Sequence, residues 1–113
     1  MKHELVNAPD GVRLSAVVPG DLITTTVESI RRDLHGLMEE PAVKRARIQC
    51  VELDLRQARM MDSAGLNLLV SLVKLGRDLD FRLRVVIANA SLQRVLQFTR
   101  MDKLIEIVPA TAA

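Results

Sequence analysis

Two hydrophobic periods succeed one another between Ile48 and Leu79 with only a short loop between them, and few folds accept that order. Val51-Glu52-Leu53-Asp54-Leu55 alternates with a period of two, as a half-buried strand does. Leu66 to Leu75 is almost wholly aliphatic and long enough for a helix. The spacing predicts a strand over Ile48 to Leu55 and a helix from Ser63 to about Leu79. At the junction stands Met61-Asp62-Ser63-Ala64-Gly65-Leu66. A serine there lies beside unpaired backbone N–H groups and the positive end of the helix dipole. A phosphate on Ser63 would be tolerated locally, yet it would add about −1.5 to −2 charges to the surface. The segment has the chemistry of a switch.

The flanking sequence extends the alternation of strands and helices. Glu4-Leu5-Val6 and Val12 to Val18 flank Pro9-Asp10-Gly11, a turn that predicts a hairpin. Pro19-Gly20 breaks the second strand. Ile23, Val27, Ile30, Leu34 and Leu37/Met38 recur at helical steps, with Thr25 and Glu28 spaced as a capping box. Glu39-Glu40-Pro41 stops that helix, because a residue before proline resists helical geometry. Leu68, Leu72, Leu75 and Leu79 carry the central stripe past Gly76 to a stop near Asp80. Phe81, Leu83, Val85 and Ile87 alternate with Arg82 and Arg84 in a fourth strand. Asn89 or Ser91 caps a third helix with Leu92, Val95, Leu96 and Thr99 inward. Leu104 to Val108 forms the last strand, and 109–113 reads as a frayed tail. The fold class is α/β, in the order β-β-α-β-α-β-α-β, with a mixed and mostly parallel sheet covered by helices. One domain spans 1–113, with its core over about 3–108.

Charge and composition narrow the function. Sixteen Lys and Arg against fourteen Asp and Glu leave a net charge of +2, with no run of five cations. That is not a nucleic-acid footprint. Phe81 and Phe98 are the two aromatics, too few for a platform on which bases stack. Cys50 alone excludes an internal disulfide and reads as a buried structural thiol. Met1-Lys2-His3-Glu4 lacks the apolar core of a signal peptide, and no apolar run approaches the ~20 residues of a membrane span. A cytoplasmic protein without a membrane segment is expected.

The stretch from Val51 to Val108 resembles the STAS domain, specifically the small single-domain anti-sigma factor antagonists of bacteria. The resemblance rests on Asp54 at a strand end, on Asp62-Ser63-Ala64-Gly65-Leu66, and on Ser91-Leu92-Gln93-Arg94-Val95-Leu96 leading to Leu104-Ile105-Glu106-Ile107-Val108. Upstream, Gly20-Asp21-Leu22 matches the family's glycine-acid-leucine element. The resemblance implies an anti-anti-sigma factor that binds an anti-sigma factor serine kinase and so releases a sigma factor. It places Ser63 on the serine that such kinases phosphorylate, using their own ATP and Mg²⁺, and implies a serine phosphatase that restores binding. It puts Asp21, Asp54, Met61, Asp62, Ser63, Ala64, Gly65 and Leu66 on the partner surface. Asn67, Arg56, Arg59 and the run Arg100-Met101-Asp102 depart from the family pattern, and the first three border that surface.

Plainer readings stand beside these. Ser63 could be only an N-cap, worth ~1 kcal/mol. Asp62 could only complement the dipole, or it could orient the Ser63 hydroxyl. Asp21 could be a helix-entry cap, Asp54 a turn residue, and Met60 and Met61 core or an adaptable rim. A second function is a structural or regulatory subunit of a transporter complex or stress-signalling assembly. A remote third is nucleic-acid binding through Arg56, Arg59, Arg82 and Arg84. Catalysis is not expected. His3 and His35 lie in no motif, Met61 stands where a hydrolase elbow needs its first glycine, and no metal or cofactor pattern appears. A monomer or weak dimer is expected.

Overall fold

The computed structural model describes residues 1–110. Strands β1 (His3–Ala8) and β2 (Gly11–Val17) form the expected hairpin. They are followed by α1 (Val27–Glu39), α2 (Pro41–Ala46), β3 (Cys50–Leu55), α3 (Ser63–Leu79), β4 (Arg82–Ile87), α4 (Ala90–Phe98) and β5 (Glu106–Pro109). The five strands lie in sequence order. β1 and β2 are antiparallel, and every later pair is parallel.

That order fixes where the helices go. Each crossover from β2 onward steps to the next strand in one direction, and right-handed crossovers then put all of them on one face. Leu14, Ala16 and Val18, Val51, Leu53 and Leu55, and Leu83, Val85 and Ile87 are buried beneath them. The opposite face carries alternating half-buried residues and, among the described residues, no helix. Across it Ser15 Oγ donates to Glu52 Oε1 at 3.2 Å, and Arg84 Nε lies 3.0 Å from Glu52 Oε2. Cys50 sits on this face, 6% exposed, and burial pushes its thiol pKa up. Helices therefore cover one side of the mixed sheet, which is the helix-covered α/β plan expected, with the cover confined to a single face.

Several boundaries shift for local reasons. α1 begins at Val27, because the Thr26 hydroxyl accepts from Ile23 N–H at 3.0 Å and donates to Asp21 O at 2.7 Å. Such local bonds compete with helix formation. The Thr25–Glu28 box does not form, and Glu28 pairs with Arg31 at 3.6 Å. Glu40 is extended, as proline demands, but Pro41 then opens the short helix α2, which periodicity alone does not reveal. α3 does run to Leu79 and is closed by Asp80 in a left-handed conformation. Its buried side is Gly65, Leu68, Leu69, Leu72 and Gly76, so Leu79, expected in the stripe, is 58% exposed. Gly76 lies inside the helix because the Phe81 carbonyl passes against it.

At the end of the chain, Asn89 caps α4 by accepting from Ser91 and Leu92 N–H. Thr99, expected inward, is exposed and turns its hydroxyl onto Val95 O at 2.8 Å. A 3₁₀ turn, Met101–Lys103, occupies the approach to the last strand, so β5 starts at Glu106 rather than Leu104. Pro109 belongs to β5, and Ala110 N–H still donates to Ile87 O at 2.7 Å. The frayed tail expected from 109 cannot start there, and its remainder, 111–113, lies outside the described residues.

Candidate functional site

The amino end of α3 is built by two carboxylates that hold neighbouring loops in place. Asp62, not Ser63, is the N-cap. Its Oδ1 accepts from Gly65 N–H at 3.1 Å. Its Oδ2 accepts from Thr24 N–H at 2.9 Å and from the Thr24 hydroxyl at 2.8 Å. One side chain thus closes the helix and ties the 20s loop to it. Asp21 acts in the other direction, its Oδ1 accepting from Arg59 N–H at 2.8 Å and Met60 N–H at 3.2 Å. Between them Leu22 N–H donates to Met60 O at 3.1 Å and Asp62 N–H to Leu22 O at 3.3 Å.

These bonds decide which expected residues face outward. Met61 is drawn into the core at 9% exposed, while its neighbour Met60 is 58% exposed. The rim methionine is Met60. Gly65 is buried, and a Cβ there would run into the Leu22 carbonyl and the Met61 side chain. Its close approach is made to its own chain rather than to a partner. Ala64 and Leu66 are half-buried. Ser63 is exposed at the first helical position and takes part in no side-chain hydrogen bond among the described residues.

Asp54 is set apart. In β3 its carboxylate receives Arg56 Nη2 at 2.6 Å and Arg56 Nε at 2.9 Å, together with Arg56 N–H at 3.0 Å. No hydrogen bond or ion pair joins it to Asp62 or Ser63 among the described residues. Arg56, read as a departure from the family, is thereby committed to Asp54. Thr24 is the residue that sequence reading missed. Three consecutive threonines gave no sign of which would reach across to Asp62.

The Thr24 hydroxyl, then the Thr24 and Gly65 N–H groups, hold the Asp62 carboxyl below the usual Asp range. The sign follows from linkage. A carboxyl whose pKa is depressed by folding stabilises the native state above its unfolded value of about 3.9, and that contribution is lost as pH falls through the folded pKa. Asp54, depressed by the Arg56 hydrogen bonds, acts in the same sense. Denaturant midpoints measured from pH 5 down to pH 2 should fall steeply for the parent chain. They should fall less for Asp62→Asn, which starts from a lower midpoint at pH 5. An unchanged acid limb in Asp62→Asn would remove the carboxylate from this role.

The arrangement offers one exposed, unbonded hydroxyl at a helix start, beside a carboxylate whose two oxygens already accept three hydrogen bonds. Among the described residues, no group of three or more His, Cys, Asp or Glu side chains is arranged to hold a metal, and no helix is long and apolar enough to cross a membrane. The STAS domain profile matches residues 6–113. The chain belongs to the STAS domain family. Among curated proteins, no sequence matches this STAS domain. A Thermotoga maritima protein assigned as an anti-sigma factor antagonist superposes with a TM-score of 0.71 at 18% identity, over 96% of this chain and 86% of that one. The anti-sigma factor antagonist SpoIIAA, in its unphosphorylated form, superposes at 0.67 and 17% identity, over 97% of this chain and 89% of its own. At such identities the likeness is one of fold, and it covers the α/β plan of a mixed five-stranded sheet with four helices.

Proposed function

We propose that this STAS domain is an anti-sigma factor antagonist controlled by phosphorylation of Ser63. Unmodified, it docks on an anti-sigma factor serine kinase in the cytoplasm, with Met60, Thr24 and the start of α3 against the partner, and the sigma factor is released. The kinase transfers a phosphoryl group from its ATP to the Ser63 hydroxyl, the complex is lost, and a serine phosphatase restores it. The chain is a substrate and a competitor, not a catalyst.

One observation carries this reading: Ser63 is exposed and unbonded while Asp62 does the capping. The serine therefore has no structural task that modification would disturb. A phosphate on it would stand next to the Asp62 carboxylate, and that concentration of negative charge would have to be desolvated for a partner to close over α3. The two structural relatives named as antagonists support the same role.

The test is incubation with the candidate kinase and ATP, followed by mass spectrometry of the intact chain and its peptides. A single phosphate on Ser63, absent from Ser63→Ala, is the expected result. Transfer to another residue, or no transfer by a kinase that binds the chain, would refute the proposal.

A further inference from the structure

At the end of α3 remote from Ser63, the packing of α1, α2 and the last turns of α3 leaves a groove of about 430 Å³. That lies within the roughly 300–1,000 Å³ of small-molecule sites. Met38, Val43, Ile48, Leu75, Leu79 and Phe81 line it. Val43 and Phe81 belong to the buried core, whereas Leu79 leaves 58% of its surface open to the groove and solvent. The lining is apolar and continuous with the core.

Its polar rim consists of His35, Glu39, Lys44 and Arg47. Lys44 Nζ lies 2.8 Å from the Glu39 carboxylate, so those two charges cancel. Arg47 also lines the groove and has no ion-pair or side-chain hydrogen-bond partner among the described residues. Its backbone is left-handed, with φ 53° and ψ 60°, in the position after a helix where glycine is favoured. An arginine is thus held at a conformational cost where glycine would be cheaper, and it is an exposed residue of the lining of an apolar cleft.

The geometry points to a binding site for a single-chain carboxylate amphiphile, whose hydrocarbon lies along Leu75, Leu79 and Phe81 and whose carboxylate meets Arg47. An apolar body suits the lining, and one anionic head suits the one lining arginine that has no ion-pair partner among the described residues. A bilayer surface fits less well, because attraction to anionic lipid needs several cations on one exposed face, and here Lys44 is already paired with Glu39, which leaves Arg47 as the one lysine or arginine of the lining without an ion-pair partner among the described residues. Along α3, Ser63 is twelve residues from Leu75 and sixteen from Leu79, about 18–24 Å at 1.5 Å per residue, so the site is separate from the kinase-docking face and its test does not involve the kinase.

Dodecanoate, kept below its micelle concentration, is titrated into ¹⁵N-labelled protein. Saturable one-to-one binding is expected, with shift changes concentrated in residues 35–48 and 75–81. Dodecyltrimethylammonium, with the same chain and the opposite head charge, should bind at least ten-fold more weakly. Arg47→Gly should raise the melting temperature, since it relieves the left-handed arginine, and yet weaken dodecanoate binding at least ten-fold. Arg47→Lys should retain most of the affinity. Equal binding of the two amphiphiles, undiminished binding by Arg47→Gly, shifts spread over the whole surface, or binding only to vesicles would each overturn the assignment.

Discussion

Gly65→Ala is expected to lower the stability of the domain by about 2 kcal/mol, although alanine is the better helix former. Propensity alone favours alanine over glycine by up to about 1 kcal/mol in a helix interior. At Gly65 that gain is outweighed, because the new methyl would overlap the Leu22 carbonyl and the Met61 side chain. Overpacking of this kind typically costs about 1–3 kcal/mol, and more where the obstruction is backbone that cannot swing away. The Leu22 carbonyl is also the acceptor for Asp62 N–H, so relief of the clash would draw the Gly20–Thr24 loop away from α3. Gly36 supplies the comparison. It lies in α1, where an alanine methyl would meet nothing within 4 Å, and Gly36→Ala should stabilise the domain by a few tenths to about 1 kcal/mol. Equilibrium urea unfolding of both variants decides the matter, and effects of the same sign would contradict the packing described for Gly65.

Ser63→Asp is expected to weaken binding to the cognate kinase by about 30-fold or more, and a phosphate by about 100-fold or more, while Ser63→Ala binds about as well as the parent chain. Tenfold in affinity corresponds to 1.4 kcal/mol, so these factors ask for roughly 2–3 kcal/mol. Burial of an unpaired charge at an interface is worth several kcal/mol, and here the new charge lies beside the Asp62 carboxylate, whose oxygens already serve Thr24 and Gly65. An alanine removes only a hydroxyl that bonds nothing. The circular dichroism of all three forms should be alike, since Ser63 supports no part of the fold. Titration calorimetry against the kinase reads the difference, and equal affinities for Ser63→Ala and Ser63→Asp would end the switch.

The parts of this molecule that were legible in the sequence are those set by local period and local chemistry. Val51, Leu53 and Leu55 alternate because one face of β3 is buried, and α3 runs from Ser63 to Leu79 because a largely aliphatic run has an acidic cap before it and Asp80 after it. Asn89 was legible as a cap for the same reason. The parts that were not legible depend on residues far apart in the chain. Asp62 and Ser63 are both good capping residues, and Thr24, 38 positions away, decides that Asp62 takes the role. Met61 and Met60 are alike in composition, and the pairing of Leu22 with that strand-like loop turns one inward and the other outward. Gly65 signals a close approach in the sequence, but not that the approaching backbone is Leu22. The six-residue helix α2 is too short for periodicity to detect, and the bare sheet face follows from strand order rather than from any single strand.

A single preparation of the chain, phosphorylated by its kinase and then divided, offers the most direct measurement. One half is treated with phosphatase, and both halves are titrated against the kinase under identical conditions. The treated half should bind at least about 100-fold more tightly than the phosphorylated half, with Ser63 the one modified residue. Equal affinity of the two halves would contradict the role given to the exposed hydroxyl at the start of α3.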